Sequence, residues 1–321
     1  MKRLALVVSV LVSALLSAPA AAQAEDSGPP LTTPTATLQQ AVWCDPSVQG
    51  KRTVLLVHGT GGAVEGYWDW NYMRALPRAG YGVCTVTLPG RALVDPVISV
   101  EYVVHAARHA YQQSGQKISM IGHSQGGSLI VWATKFWPDV AAHTDDVISL
   151  AGAMAGVAAG NVLCAGSWCP PVAWRASFGS HFMNALQSAP LPAGPSYTSA
   201  YSLTDEVVAP ARRASTLPGA VNVAVQSICP LRVADHVTML ADSVGFALTM
   251  DALTHSGPAV PSRIGNRLSL CLFPFMADSV LPGPAALETI AAALAGLAGG
   301  QPSVSAEPPL PSYAEPYGSM L

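Results

Sequence analysis

The chain has 321 residues, of which half are hydrophobic and 11% charged, with a formal net charge of -3. Such a chain can bury a sizeable core in one large domain or two small ones, which excludes disorder for most of its length. No Lys/Arg cluster relieves the slightly acidic balance, so nothing electrostatic points to nucleic acid.

Lys2 and Arg3, the apolar run Leu4 to Leu16 and the small residues ending in Ala22-Gln23-Ala24 read as a signal peptide cleaved after Ala24. The apolar run is short of the roughly 20 residues a membrane span needs. A secreted protein without a transmembrane anchor is therefore expected. Residues 25–40, rich in Pro, Thr and Ser, are expected to form a mobile leader to a single domain over 41–321. Thr53 to Val57 is a short apolar run bounded by Gly, and reads as a buried strand. Gly82 to Leu88 reads as another. Ser99 to Ser114 has apolar residues at helical spacing. Lys117 to Gly122 predicts a strand and Ser128 to Phe136 a helix. Asp146 to Leu150, Tyr197 to Tyr201 and Val221 to Val225 read as further strands, and Val237 to Leu253 as one long helix. Strands alternating with helices imply an α/β architecture, a mostly parallel central sheet flanked by helices. The Ala- and Gly-rich stretch 151–196 interrupts the alternation and reads as a lid-like insertion. Residues 285–299 predict a helix apolar nearly all round, which is either deeply buried or lines an apolar pocket. The tail beyond 300 is Pro-rich and irregular.

Six cysteines in an exported chain read as three disulfides, with 15 pairings open. Cys164 and Cys169 lie close together between Gly and Pro and are expected to close a small loop. The partners among Cys44, Cys84, Cys229 and Cys271 stay open at this point. There is no C-x-x-C and no H-E-x-x-H, so no metal and no cofactor is expected.

Gly122-His123-Ser124-Gln125-Gly126 matches G-x-S-x-G. An ordinary Gly-rich turn would account for those five residues, but not for the strand before and the helix after them. A strand–turn–helix setting is what a nucleophile elbow requires, with Ser124 at its tip. A serine hydroxyl attacks well only when a histidine takes its proton, and that histidine needs a carboxylate to hold its tautomer. His143, His181, His236 and His255 follow Ser124. His143 precedes a strand, His181 sits in the insertion and His255 follows the long helix. His236 lies in a loop after a strand, where the base belongs. The acid should follow a strand between Ser124 and His236. Asp205 fits, with Glu206 as its main rival. Asp145 and Asp146 lie at the wrong end of the sheet, and Asp235 adjoins His236 too closely to reach its ring. The oxyanion of an acyl transfer needs two N–H donors. Gln125, next to the nucleophile, is one; the loop His58-Gly59-Thr60-Gly61-Gly62 suits the other through Thr60.

Taken together, LLVHGTGG, SQGG, YSLTDEVVAP, ICPLRVADH and EPPLPSYAEPY resemble the lipase B family of the α/β-hydrolases, over about residues 44–316. The resemblance implies a triad of Ser124, Asp205 and His236 and an oxyanion hole at Thr60 and Gln125. It also implies disulfides Cys44–Cys84 and Cys229–Cys271, leaving Cys164 to Cys169. The chain departs from the family pattern in three places. Gly122-His123 stands where the family carries Thr-Trp, so stereopreference does not carry over. AGAMAG lacks the family's acidic residue, and the family's last disulfide has no counterpart. The activity implied is hydrolysis of acylglycerol-type or other lipidic esters; a lipid–water interface is one expected place of action, and a monomer is the default expectation for the chain. An acyltransferase using the same triad, a binding protein on the same fold and a serine peptidase are the competing readings; the intact triad and the apolar surroundings speak against the last two.

Overall fold

The computed structural model describes residues 27–319, apart from 167, 281 and 297–300. The expected signal peptide, residues 1–24, lies outside the described residues. Seven strands form one sheet: β1 Val42–Cys44, β2 Thr53–Val57, β3 Gly82–Val86, β4 Ile118–His123, β5 Thr144–Leu150, β6 Ser196–Tyr201 and β7 Val221–Ala224. Their order is β1-β3-β2-β4-β5-β6-β7, and only the β1/β3 pair is antiparallel.

Every residue of β2 is buried. That is what a strand needs when helices cover both faces of its sheet, because successive side chains point to opposite sides. Leu55 and Val57 join one apolar cluster with Val103, Met120, Leu129 and Trp132, under the helices Pro96–Ser114 and Gln125–Phe136. Val54 and Leu56 join a second with Ile121, Ile148, Val244 and Leu248, under Ser243–Thr254. The strands end on the edge where β2, β4, β6 and β7 hand over to their loops. That edge is where an open parallel sheet binds ligands.

Two expectations change. Residues 27–40 are not a mobile leader. Glu101, buried in the helix Pro96–Ser114, accepts hydrogen bonds from Thr32 N (2.9 Å), the Thr32 hydroxyl (2.7 Å) and Thr33 N (2.7 Å). Trp137 donates to Pro29 O, and the short helix Thr35–Gln40 buries Leu38. A buried carboxylate has to be partnered, and this segment partners it. The single helix expected over Val237 to Leu253 is broken: a 3-10 turn at Thr238–Leu240 precedes the helix Ser243–Thr254. Asp242 leaves helical geometry to cap the second piece, accepting from Val244 N and Gly245 N at 2.9 Å. Of the two places expected for the apolar helix Pro284–Ala295 it takes the second: Leu287 is 70% exposed, while Ile290 and Ala293 line a largely apolar cavity.

The insertion after β5 carries the helices Ala158–Leu163, Pro171–Ala176 and His181–Ser188. It is tied down at Arg175, which is 1% exposed. Arg175 pairs with Asp95 through two contacts, at 3.1 and 3.2 Å, and with Glu307 at 3.0 Å. Asp95 caps the helix Pro96–Ser114, and Glu307 also accepts from His181 N and Phe182 N. Removing one member of such a buried network strands the others. Arg175→Met is therefore expected to lower unfolding free energy by about 3–5 kcal/mol in a urea titration. A loss below about 1 kcal/mol would mean that the insertion is held elsewhere. Disulfides join Cys44 to Cys84, Cys164 to Cys169 and Cys229 to Cys271. Among the described residues no helix is long and apolar enough to cross a membrane.

Candidate active site

Ser124 sits between β4 and the helix Gln125–Phe136 with φ 57° and ψ -129°. A side chain rarely adopts that conformation, and here the fold enforces it. Ser124 N donates to Leu150 O at 3.0 Å. The glycines on either side are there because nothing larger fits. A Cβ on Gly122 would come within 2.3 Å of Gly126 O, and one on Gly126 within 2.2 Å of Val57 O. The turn therefore folds flat against β2 and lifts the Ser124 side chain toward a cavity of about 560 Å3. Gln125 opens the helix, and the N–H groups of a first helical turn have no acceptor inside the helix. Gln125 and Thr60 both line the cavity.

The loop that carries Thr60 is held by neighbours on both sides. Gly61 N donates to Arg91 O and Arg91 Nε to Gly61 O, both at 2.8 Å. His58 is fully buried; its Nε2 accepts from Leu88 N at 3.0 Å, while Nδ1 lies 2.9 Å from Gly59 O. A Cβ on Gly59 would sit 2.6 Å from the Ser124 Cβ, so only glycine lets the loop pass Ser124.

His236 and Asp205 come together from different loops. His236 Nδ1 lies 2.8 Å from Asp205 Oδ2. A carboxylate accepts, so Nδ1 carries a proton, and in the neutral ring the lone pair is then on Nε2. Asp205 Oδ1 accepts from Val207 N (2.9 Å) and Val208 N (2.7 Å), which fixes the carboxylate plane. Burial pushes the Asp205 carboxyl up, but the His236 bond and charge and the two backbone donors outweigh it and hold it below the usual carboxylate range. Ser124 and His236 line the same cavity.

The rivals separate cleanly. Glu206 Oε2 accepts from His236 N at 3.1 Å, so it holds the histidine by its backbone and not by its ring. Asp146 accepts from Ser119 and Ser196, both at 2.8 Å, and Asp235 accepts from Thr238 N. Asp145 is exposed. His143 stacks on Tyr111, His181 faces Gly318 O and His255 pairs with Asp251. Further contacts were not visible in the sequence. The Thr204 hydroxyl bonds both Ala234 O and Ala234 N, and Gln226 donates to Arg232 O, so the loops bearing Asp205 and His236 are laced together. The cavity wall is apolar: Leu163, Val172, Phe182, Met183 and Leu240 line it, and Ile290 of the helix Pro284–Ala295 closes one side. Among the described residues no group of three or more His, Cys, Asp or Glu is gathered as a metal site needs.

Two buried histidines near the site are held neutral. Burial pushes His58 down to about 4 and His123 down to about 3. Above pH about 6.5 neither folded nor unfolded chain charges them, so they add no pH slope. Below it the unfolded chain binds protons that the folded chain refuses, and stability falls by about 1.4 kcal/mol per pH unit for each histidine. The fall continues until the folded values near 4 and 3 are reached. Unfolding free energy is thus expected to drop by about 2–3 kcal/mol from pH 6 to pH 5. A flat urea-titration result over that interval would mean that both rings already carry a proton in the fold, and a drop of about half that size that one of them does.

No family model matches the chain. It is 30% identical over 305 residues to lipase B of Pseudozyma antarctica, an alignment covering 91% of this chain and 88% of that one. Among solved structures it is similar to Aspergillus fumigatus lipase B, with a TM-score of 0.81, 26% identity and coverage of 90% of this chain and 74% of that one. A Bacillus licheniformis lipase, BlEst2 in its mature form, shares the fold at a TM-score of 0.51 and 18% identity, covering 71% of this chain and 97% of that one.

Proposed function

The chain belongs to the lipase B family of the α/β-hydrolases, a serine ester hydrolase, and from that premise we propose that it is an exported lipase acting on acylglycerol-type esters through Ser124, His236 and Asp205. The observation that carries the assignment is the 2.8 Å contact between His236 Nδ1 and Asp205, in a cavity that also takes in the strained Ser124. In this reading His236 Nε2 takes the Ser124 proton as the oxygen attacks the ester carbonyl. The oxyanion rests on the N–H groups of Thr60 and Gln125. His236⁺, stabilised by Asp205, gives the proton to the leaving alcohol, and an acyl-Ser124 ester remains. Water, deprotonated by the same histidine, releases the acid.

An apolar cavity of about 560 Å3 favours a hydrocarbon acyl chain over a polar one. Export is supported by the charged, apolar and small-residue blocks of residues 1–24 and by three disulfides. The test is a p-nitrophenyl ester series from acetate to palmitate. Each buried methylene contributes up to about 0.8 kcal/mol, so kcat/KM should rise at least about tenfold from acetate to octanoate. Acetate as the best substrate would argue for a small-ester esterase, and no turnover at all would leave a binding protein on a hydrolase fold.

A further inference from the structure

His123 immediately precedes Ser124 and is 2% exposed, yet both of its ring nitrogens are occupied. Nδ1 lies 2.6 Å from the Tyr67 hydroxyl, and Nε2 lies 2.9 Å from His236 O. The Tyr67 hydroxyl in turn accepts from Gly59 N at 2.9 Å. The ends of this chain assign every proton. An amide N–H only donates and a carbonyl only accepts. So Gly59 N–H donates to Tyr67, Tyr67 O–H donates to His123 Nδ1, and His123 Nε2–H donates to His236 O. Three hydrogen bonds thus run from the residue beside Thr60 to the main chain of the base. The two imidazole rings lie 4.6 Å apart, centre to centre, so a charge on His123 would oppose the imidazolium that His236 must form. Burial keeps the ring neutral.

The main chain of His236 has few other holds. Glu206 takes its N–H, and His123 takes its carbonyl. Gly59, for its part, must pass within reach of Ser124 and has no side chain to anchor it. Both groups whose placement decides the reaction are therefore positioned through the same ring.

We propose that His123, acting with Tyr67, is a positioning residue that keeps the base and the oxyanion loop in register. The proposal rests on the reading of Ser124, His236 and Asp205 as the triad. It also gives a reason for a histidine in G-H-S-Q-G: the ring links two loops.

The experiment uses the full chain and three variants, His123→Phe, His123→Gln and Tyr67→Phe, with the Phe/Phe double variant. Stoichiometric labelling of Ser124 by a fluorophosphonate, with loss of turnover, first checks the triad reading. His123→Phe should then lower kcat about tenfold or more while KM stays within about twofold. His123→Gln, whose amide can donate to His236 O and accept from Tyr67, should recover most of the loss. Tyr67→Phe should resemble His123→Phe, and the double variant should be no worse than either single one, because both break one chain. Multiplying losses in the double variant, or an unchanged kcat in His123→Phe, would overturn the proposal while leaving a labelled Ser124 intact. A wild-type chain that keeps its turnover after labelling, or does not label, would overturn both readings. If His123→Phe does not fold, Tyr67→Phe carries the same decision through its kcat-against-KM split.

Discussion

Ser124→Ala is expected to reduce ester turnover by about a million-fold without unfolding the chain. In the proposed mechanism the serine makes the covalent bond to the acyl group, so no neighbouring group can replace it; what would remain is the binding and oxyanion contribution of the cavity. Alanine keeps the Cβ, so it keeps the unusual backbone of φ 57° and the packing around it. Ser124→Gly separates two effects that alanine leaves joined. Glycine also lacks the nucleophile, so activity should fall as far. But it adopts a positive φ without steric penalty, and the unfolded chain's extra freedom offsets only part of that gain, so the variant should be more stable by about 1 kcal/mol. Activity is read with a medium-chain p-nitrophenyl ester and stability by thermal unfolding. Full activity in Ser124→Ala would move the nucleophile elsewhere. An inactive Ser124→Gly that is also less stable would mean that the elbow backbone is relaxed and the strain argument fails.

What could be read from the sequence was whatever is encoded locally. β2 is legible residue for residue, because four consecutive apolar residues after Thr53, running into a Gly-rich loop, have few other uses. The strand–turn–helix around Ser124 is legible for the same reason: the two glycines, the strand before and the helix after lie within about twenty residues. Asp205 and His236 needed more, namely the chain order of the fold and a family resemblance, since they are 31 residues apart and meet only in space. The errors share one cause. Glu101 reads as one position on an apolar helix, and nothing nearby says that Thr32 and Thr33 must close over it. Asp242 reads as one polar residue inside a long apolar helix, and its side chain turns back to cap the next one. His123 and Tyr67 are 56 residues apart, and Tyr67 stands in a segment with no motif. Polar side chains that satisfy buried partners across long separations carry no periodic signal, and the structure is where they become visible.

Asp205→Asn is the sharper test of the catalytic arrangement, because it exchanges one carboxylate oxygen for an NH2 group and leaves the shape of the side chain almost unchanged. Asp205 Oδ1 accepts from Val207 N and Val208 N, so the amide oxygen of an asparagine will take that place and its NH2 group must face His236. An NH2 donates, and the ring then has to accept at Nδ1, which moves its proton to Nε2. A histidine protonated at Nε2 cannot take the serine's proton. The geometry survives and kcat falls by about ten-thousand-fold at neutral pH. Glu206→Gln is the control. Its side-chain oxygen can still accept from His236 N, so its kcat should stay within about tenfold of wild type. If the two variants exchanged behaviour, Glu206 would be the acid and the contact to Asp205 structural. If both fell together, the loop that carries them would matter as a unit, through the Thr204 and Gln226 bonds that lace it to the histidine loop. The assignment of Asp205 predicts neither pattern. It predicts a large loss for a change of one NH2 for one oxygen at 205, and a small one for the same change next door.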